Sequence, residues 1–244
     1  MQRIKSTAMT AGVVVLAGAA AAWADIGDPV VVFEAVGAMG SGSFSVSLDD
    51  GAWNGDSWSW MATEPIEIRT DSGDLIVTLT EGSAYVEEDP VVALGFAVIA
   101  GDFDTLFTIS SSTVSFPTIF GATGRATAAA TLTESDGNTA TMTGMEPGGA
   151  LFSANYNGSN NFASLIPGPL VENDAFGTVA ATDEYPDGGA FALVGDVSDI
   201  SVQWSFLLTA RDQASGTSAF VVVPTPAGVS LLALGGLGAL RRRR

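Results

Sequence analysis

Alternating apolar and polar positions in the middle of the chain predict short β-strands. Residues 66–69 and 75–79 both place Ile, Leu or Val at every second position, and a turn cluster, Asp-Ser-Gly-Asp, separates them. Residues 125–144 repeat this arrangement with threonine-rich strands around Asp136-Gly137, the strongest short turn signal. We therefore expect a hairpin in each segment.

Two further segments extend the β pattern. Residues 200–210 alternate Val202, Trp204 and Phe206 with serine and glutamine. Residues 91–101 form a nearly continuous apolar run, which suits a strand buried on both faces and leaves a short helix open. The stretch 146–189 is rich in turn residues and predicts irregular connections or a long insertion.

These elements together predict an all-β fold. The 29 glycines and 10 prolines punctuate short segments, and no long amphipathic helix is predicted between the two chain ends. No repeat at a fixed period favours a propeller or a solenoid. The sequence predicts one antiparallel β-sandwich domain, jelly-roll-like, over residues 25–222.

The N-terminal residues 1–24 have the pattern of a signal peptide. Arg3 and Lys5 precede a short apolar run. The run ends in an A-x-A cleavage pattern formed by Ala22 and Ala24, so we expect cleavage directly before Asp25. An uncleaved anchor is the alternative, but the run is shorter than the ~20 residues of a spanning helix. Export by Sec-type machinery and cleavage by signal peptidase are therefore predicted.

The C-terminal residues 223–244 combine three parts in a fixed order. They are a proline motif of Val223, Pro224, Thr225, Pro226 and Ala227, an uncharged apolar segment 227–240, and a basic stop of Arg241, Arg242, Arg243 and Arg244. As a helix the apolar segment would reach about 21 Å, short of a ~30 Å hydrocarbon core, and the prolines block its extension. The arginines mark the cytoplasmic side. We expect a marginal, transient transmembrane helix in the inner membrane.

This tail resembles the PEP-CTERM sorting signal of bacterial surface proteins. The resemblance covers residues 223–244 and implies recognition by an exosortase-like sorting enzyme, with removal of the tail near the proline motif. Thr225 stands where the family's name-giving motif has glutamate, so the motif is a VPTPA-type variant and does not identify which sorting enzyme reads it. A plain C-terminal tail anchor is the alternative.

Composition excludes several classes of chemistry. The chain has 27 acidic residues, and between its two ends the only basic residues are Arg69, Arg125 and Arg211, so the domain would repel nucleic-acid phosphates. It has no histidine and no cysteine, which excludes disulfides, a Ser-His-Asp triad and ordinary zinc sites.

Trp58 and Trp60 are the candidate ligand platform. Two positions apart in a strand, they would share one face, and an exposed pair could stack on sugar rings. The alternative is that both fill the core, as large aromatic residues usually do.

Clustered acidic residues offer two further kinds of site. Calcium takes oxygen ligands from loop carboxylates, and structural calcium is the one cofactor that the sequence leaves open. A carboxylate pair would be needed for a glycosidase, although adjacent acids in a strand point to opposite faces. The calcium candidates are Asp49 with Asp50, Asp102 with Asp104, Asp183 and Glu184 with Asp187, and Asp196 with Asp199; the nominal catalytic candidates are Glu87, Glu88 and Asp89, and Asp183 and Glu184.

The sequence thus predicts an exported, non-enzymatic protein of the cell surface or extracellular matrix. The resemblance implies bacteria that make exopolysaccharide, which becomes a candidate partner. A secreted carbohydrate-binding module is the main alternative, and a secreted carboxylate glycosidase is a second.

Overall fold

The structure, a computed structural model, describes residues 25–225, and the predicted signal peptide 1–24 and the tail from Pro226 onward lie outside these residues. Seventeen strands and three short 3₁₀ helices (Leu48–Asp50, Pro147–Gly149 and Asp187–Gly189) make up the described part. The strands are β1 (Asp25–Ile26), β2 (Val31–Gly37), β3 (Gly40–Val46), β4 (Ala52–Asn54), β5 (Ser57–Met61), β6 (Ile66–Arg69), β7 (Leu75–Glu87), β8 (Val91–Ala100), β9 (Thr105–Ser111), β10 (Val114–Thr133), β11 (Ala140–Gly144), β12 (Ala150–Tyr156), β13 (Asn160–Pro167), β14 (Leu170–Glu172), β15 (Thr178–Tyr185), β16 (Ala192–Leu208) and β17 (Gln213–Pro224).

All strand pairings among these elements are antiparallel, which confirms the predicted all-β antiparallel class. One half of the sheet runs in the order β15, β10, β17, β8, β7, with β5 and β6 beside β7. The other half runs β3, β2, β9, β16, with β12 and β11 beside β16. The long strands β10 and β16 pair with each other and join the halves into one curled sheet.

Aromatic side chains hold the two halves together. Phe96 of β8 stacks on Phe206 of β16 with ring centroids 5.6 Å apart, and it meets Trp204 edge-on at 5.2 Å. Phe107 and Phe152 continue the contact on either side of β16. Burying such large rings is the main favourable term in a core of this kind.

One predicted hairpin is confirmed, and the other is wrong. β6 and β7 pair antiparallel around the turn at 71–74. β10 and β11 do not pair with each other: the end of β10 lies between β15 and β17, whereas β11 lies between β14 and β16. The turn between them is held by the buried Glu134, whose Oε1 accepts the N–H groups of Asp136 and Asn138, and the chain then crosses to the other half of the sheet.

Two other segments differ from their predictions. The apolar run is strand β8, but only one of its faces is fully in the core; on the other face Ala93 and Gly95 are half-buried and Ile99 is exposed. The turn-rich stretch 146–189 is not irregular, since it contains β12 to β15. Glycine, asparagine and proline there mark the tight connections between short strands.

The last strand reaches into the predicted proline motif. β17 continues through Val223, which pairs with Thr123, and Pro224, which pairs with Ala122. The fold therefore extends two residues beyond the predicted boundary at Val222. Over residues 25–225 the structure has no helix with the length and apolar character that a membrane crossing requires.

Candidate functional site

The predicted tryptophan platform does not form. Trp58 and Trp60 do share a face of β5, but that face points inward: Trp58 is fully buried, and its Nε1 donates a hydrogen bond to the Leu48 carbonyl at 3.1 Å. Trp60 is half-buried against Phe33 and Phe44, with ring centroids 6.1 and 6.2 Å away. A buried ring cannot stack on a sugar, so the expected exposed pair is wrong and the core alternative explains Trp58.

The predicted acidic clusters serve mainly as acceptors for backbone N–H groups. Asp104 accepts from Ala210 N at 3.0 Å, and Asp102 forms an ion pair with Arg211 at 2.8 Å. Asp50 accepts from Ser47 N at 2.7 Å, and this bond is the main reason that the pKa of Asp50 lies below its ordinary value. These carboxylates hold loops in place.

The carboxylates of the other two predicted clusters also bind protein groups. Asp183 accepts from Ile166 N at 2.9 Å, while its neighbour Glu184 points to the opposite face of β15 and binds Arg125. That bond to Arg125 is the largest reason for the lowered pKa of Glu184. Asp196 accepts from Gly121 N at 2.9 Å, and Asp199 accepts from Gly158 N at 2.7 Å.

The nominal catalytic run at the end of β7 contains one group with a raised pKa. Burial raises the pKa of Glu88, and the negative charges of Asp56 and Asp89 add to the effect. Glu87 instead accepts a hydrogen bond from the Tyr85 hydroxyl at 2.9 Å. Neither run of acids supplies a facing pair of free carboxylates.

Glu134, Asp136 and Asp212 form a group that the sequence reasoning missed. Within residues 25–225 it is the one set of three acidic side chains whose carboxylate oxygens lie within 4.8 Å of one another. The alternation along β10 could have indicated that Glu134 is buried. Every second side chain points inward, namely Ala128, Ala130 and Leu132, and Glu134 is the next position in this series. Oxygen ligands of this kind suit calcium, so these three residues are the described ones that could hold a metal.

Glu134 is buried and accepts hydrogen bonds on both of its oxygens. Its Oε1 accepts from the backbone N–H groups of Asp136 at 2.5 Å, Gly137 and Asn138 at 3.1 Å, and its Oε2 accepts from Phe176 N at 2.5 Å. The bond from Phe176 is the largest cause of a lowered pKa of Glu134, and the three turn amides add to it against the effect of burial. The charged carboxylate is therefore favoured.

Asp212 is buried beside Glu134, and its pKa moves in the opposite direction. Burial raises this pKa most, the charges of Asp136 and Glu134 add to it, and hydrogen bonds from Thr209 and Ser135 oppose it. An acid with a raised pKa beside one with a lowered pKa is the pattern of an acid/base pair. Here both side chains are only 1–2% exposed, and their oxygens already bind protein groups, so a sugar could not reach them.

A shallow groove crosses the outer face of the half-sheet formed by β15, β10, β17, β8 and β7. It consists of two cavities of about 670 and 550 Å³ that share Ala129 and Thr217. Small and hydroxyl-bearing side chains line it because the outward positions of β10 and β17 are mainly threonine, serine and alanine. The acidic residues of the lining are Asp183, Glu184, Asp187 and Glu81. This surface offers hydrogen-bonding groups to an extended neutral polymer.

Comparison with known proteins adds little to this description. No protein-family model matches the chain, and no curated protein sequence matches it. Among solved structures, an isomalto-dextranase from Arthrobacter globiformis T6 complexed with panose aligns at 13% identity over 72% of this chain, with a TM-score of 0.21. The aligned part spans 25% of that enzyme. A TM-score this low transfers neither a fold nor an activity.

Proposed function

We propose that this protein is an exported, non-enzymatic component of the cell surface or extracellular matrix, delivered and trimmed through its two chain ends. The observation that carries the proposal is how far the sheet extends toward the predicted tail. β17 ends at Pro224, inside the predicted proline motif, so only Thr225 and Pro226 separate the last strand from the predicted apolar segment 227–240. The predicted sorting signal would thus follow the folded domain directly.

The domain between these signals is proposed to be a jelly-roll-like sandwich. Two observations support two layers that face each other across one core. The long strands β10 and β16 connect the two halves of the sheet, and Phe96 of β8 stacks on Phe206 of β16. A non-enzymatic role agrees with the predicted acidic clusters, because their carboxylates bind backbone amides, hydroxyls or arginines. A stable, acidic shell of this kind suits an extracellular structural protein.

The proposed route uses both predicted signals. Sec-type machinery exports the chain, signal peptidase cuts before Asp25, and the apolar segment 227–240 stops in the inner membrane with Arg241–Arg244 on the cytoplasmic side. An exosortase-like enzyme then removes the tail near Thr225. The freed domain stays at the surface or in the matrix, with exopolysaccharide as its candidate partner.

The direct test is the intact mass and location of the protein in its native host. We expect surface material to begin at Asp25 and to lack Arg241–Arg244. Replacing these four arginines by glutamine removes the charge that keeps the tail's end in the cytoplasm, so most of the protein should be missorted and keep its tail. The control replaces Arg69 and Arg211, whose ion pairs lie on the domain surface, and should be routed normally. Surface protein that still carries all four arginines would refute C-terminal processing.

Carbohydrate binding is the second candidate, and the outer groove is the observation that favours it. A tryptophan at Thr217, which lines both cavities, would fill the groove. If the groove holds a glycan chain, Thr217→Trp should abolish retention on the host's exopolysaccharide in affinity electrophoresis, while Thr178→Trp, at the first residue of β15 and outside the groove lining, should not. Equal retention of both variants and the parent would exclude the groove as the binding site.

A further inference from the structure

A patch of exposed apolar side chains lies where the chain leaves the domain. Phe120 is 76% exposed, Leu193 is 73% exposed and Phe191 is 45% exposed. Phe191 is two positions from Leu193, which pairs with Thr123, and Thr123 is three positions from Phe120. Exposed apolar side chains grouped in one region of a surface commonly mark an interaction site. We call these three residues the exit patch.

Strand pairing fixes the exit patch beside the end of β17. Thr123 of β10 pairs with Val223 on one side and with Leu193 on the other. Phe120 adjoins Gly121, where an added Cβ would lie 3.7 Å from the Thr225 hydroxyl. Thr225 therefore lies next to Gly121, the residue that follows Phe120.

The distance from this exit to the apolar tail is very short. Only Thr225 and Pro226 separate Pro224 from the segment 227–240. Because an extended chain spans at most ~3.6 Å per residue, Pro224 can lie no more than about 11 Å from the first tail residue. A tail in the membrane thus holds the exit patch at the membrane surface.

The shortness of the tail strengthens this restraint. As the predicted helix, the fourteen residues 227–240 would reach about 21 Å against a ~30 Å hydrocarbon core. A segment shorter than the bilayer thins the bilayer locally or draws its flanking residues into the interface. The flanking residues on the exported side are the end of β17 and its neighbours.

We propose that the exit patch docks on the outer surface of the lipid bilayer while the tail is inserted, with Phe120, Phe191 and Leu193 among the headgroups. This proposal rests on the membrane insertion of the tail in the proposed function. Phenylalanine and leucine side chains are suited to this depth of an interface. Asp196, whose carboxylate accepts a hydrogen bond from Gly121 N beside Phe120, favours a zwitterionic surface over an anionic one.

Docking would orient the domain before it is released. The strand end that precedes Thr225 would be held at the level where a membrane-embedded enzyme can reach it. The groove across β15, β10 and β17 would remain accessible from the aqueous side at its distant end.

The test uses the absence of cysteine from the chain, which allows a single spin label at any chosen position. The whole chain with its tail is reconstituted in phosphatidylcholine vesicles, carrying Phe120→Cys or the matched control Phe176→Cys. Phe176 is 73% exposed and lies beyond the far end of β10, next to Glu134. We expect a label at 120 to be shielded from a water-soluble relaxing agent and accessible to oxygen in the lipid, and a label at 176 to remain in water.

Vesicle affinity supplies a second measurement. Phe120→Ser combined with Leu193→Ser should weaken binding of the whole chain by about tenfold or more, because each removed apolar side chain makes transfer into the interface less favourable. Phe176→Ser should leave the affinity unchanged. Vesicles containing phosphatidylglycerol should bind less tightly than phosphatidylcholine alone.

The outcomes separate the docking proposal from the function on which it rests. A chain that floats with vesicles but leaves labels 120 and 176 equally exposed to water contradicts docking and leaves tail insertion intact. A chain that does not float with vesicles contradicts both. Shielding of label 120 without vesicles, by the tail or by a second copy, would also overturn the proposal, and dipolar broadening between labels distinguishes the second copy.

Discussion

Replacing Trp204 by alanine is expected to lower the free energy of unfolding by about 3–5 kcal/mol, the range for removing a fully buried tryptophan. Trp204 is fully buried in the middle of β16. Its ring lies 5.2 Å from Phe96 in the facing half of the sheet and 5.2 Å from Phe152 of its own half. Its Nε1 donates a hydrogen bond to the Ser218 hydroxyl of β17 at 3.0 Å. The substitution removes contacts on both sides of the core at once.

The measurement is urea unfolding of the parent, Trp204→Ala and two controls. Trp53→Ala removes a half-exposed tryptophan and should change stability by no more than about 0.5 kcal/mol. Trp204→Phe keeps most of the ring volume but leaves Ser218 without its partner, so its loss should fall between the two, at about 1–3 kcal/mol. A loss for Trp204→Ala no larger than that for Trp53→Ala would contradict the position of Trp204 between the halves.

The sequence pattern predicted the class of the fold better than its pairings. Alternation in 200–210 identified the inward residues Val202, Trp204 and Phe206, because a strand with one face in the core must repeat every second residue. The Asp136-Gly137 signal predicted a turn and, wrongly, a hairpin. A turn signal is local, whereas the partner of each strand depends on distant segments: β10 pairs with β15 and β17, and β11 pairs with β14 and β16.

Local sequence signals were equally insufficient to predict the candidate sites. Trp58 and Trp60 were correctly placed on one face, but only the tertiary contacts show that this face is the inner one: Trp60 packs against Phe33 and Phe44, and Trp58 donates a hydrogen bond to the Leu48 carbonyl. The acidic clusters were visible as composition, while their use as acceptors for backbone N–H groups depends on loop geometry. Glu134 was the exception. It lies two positions after the inward-facing Leu132, so the sequence alone places its side chain in the core, where a charged carboxylate needs hydrogen bonds.

Glu134→Gln is expected to destabilise the domain strongly at about pH 7, whereas Asp212→Asn in the same group should be neutral or stabilising. Both oxygens of Glu134 accept backbone N–H groups, so an amide NH₂ in either position would face another donor. The amide introduced by Asp212→Asn can keep its oxygen on Ser135 N and donate its NH₂ to Thr209 Oγ1. The Thr209 hydroxyl can then turn its own hydrogen to the Thr141 carbonyl 3.3 Å away. Glu134→Gln and Asp212→Asn, which both replace a buried carboxylate by an amide, are therefore expected to change the free energy of unfolding differently.

The two carboxyl groups also predict opposite dependences on pH. The pKa of Glu134 is lowered from 4.5 in the fold, so its contribution to stability is present above that value and is lost as the pH falls through the folded pKa. The pKa of Asp212 is raised from 3.8, so the fold favours its protonated form. That stabilisation is present below 3.8 and is lost as the pH rises through the folded pKa. The deficit of Glu134→Gln should therefore shrink on acidification, and any gain from Asp212→Asn should disappear.

Unfolding midpoints at about pH 7 and about pH 4 measure both effects. Asp136→Asn is the control, because Asp136 is exposed and its Oδ1 accepts only from Asn138 within its own turn. It should change stability far less than Glu134→Gln at either pH. Equal losses for Glu134→Gln and Asp212→Asn at about pH 7 would show that burial alone, rather than the direction of the hydrogen bonds, governs this group. Calcium added to the parent gives an independent check: a raised midpoint that Asp136→Asn abolishes would mean that the three carboxylates bind the metal as well as the turn.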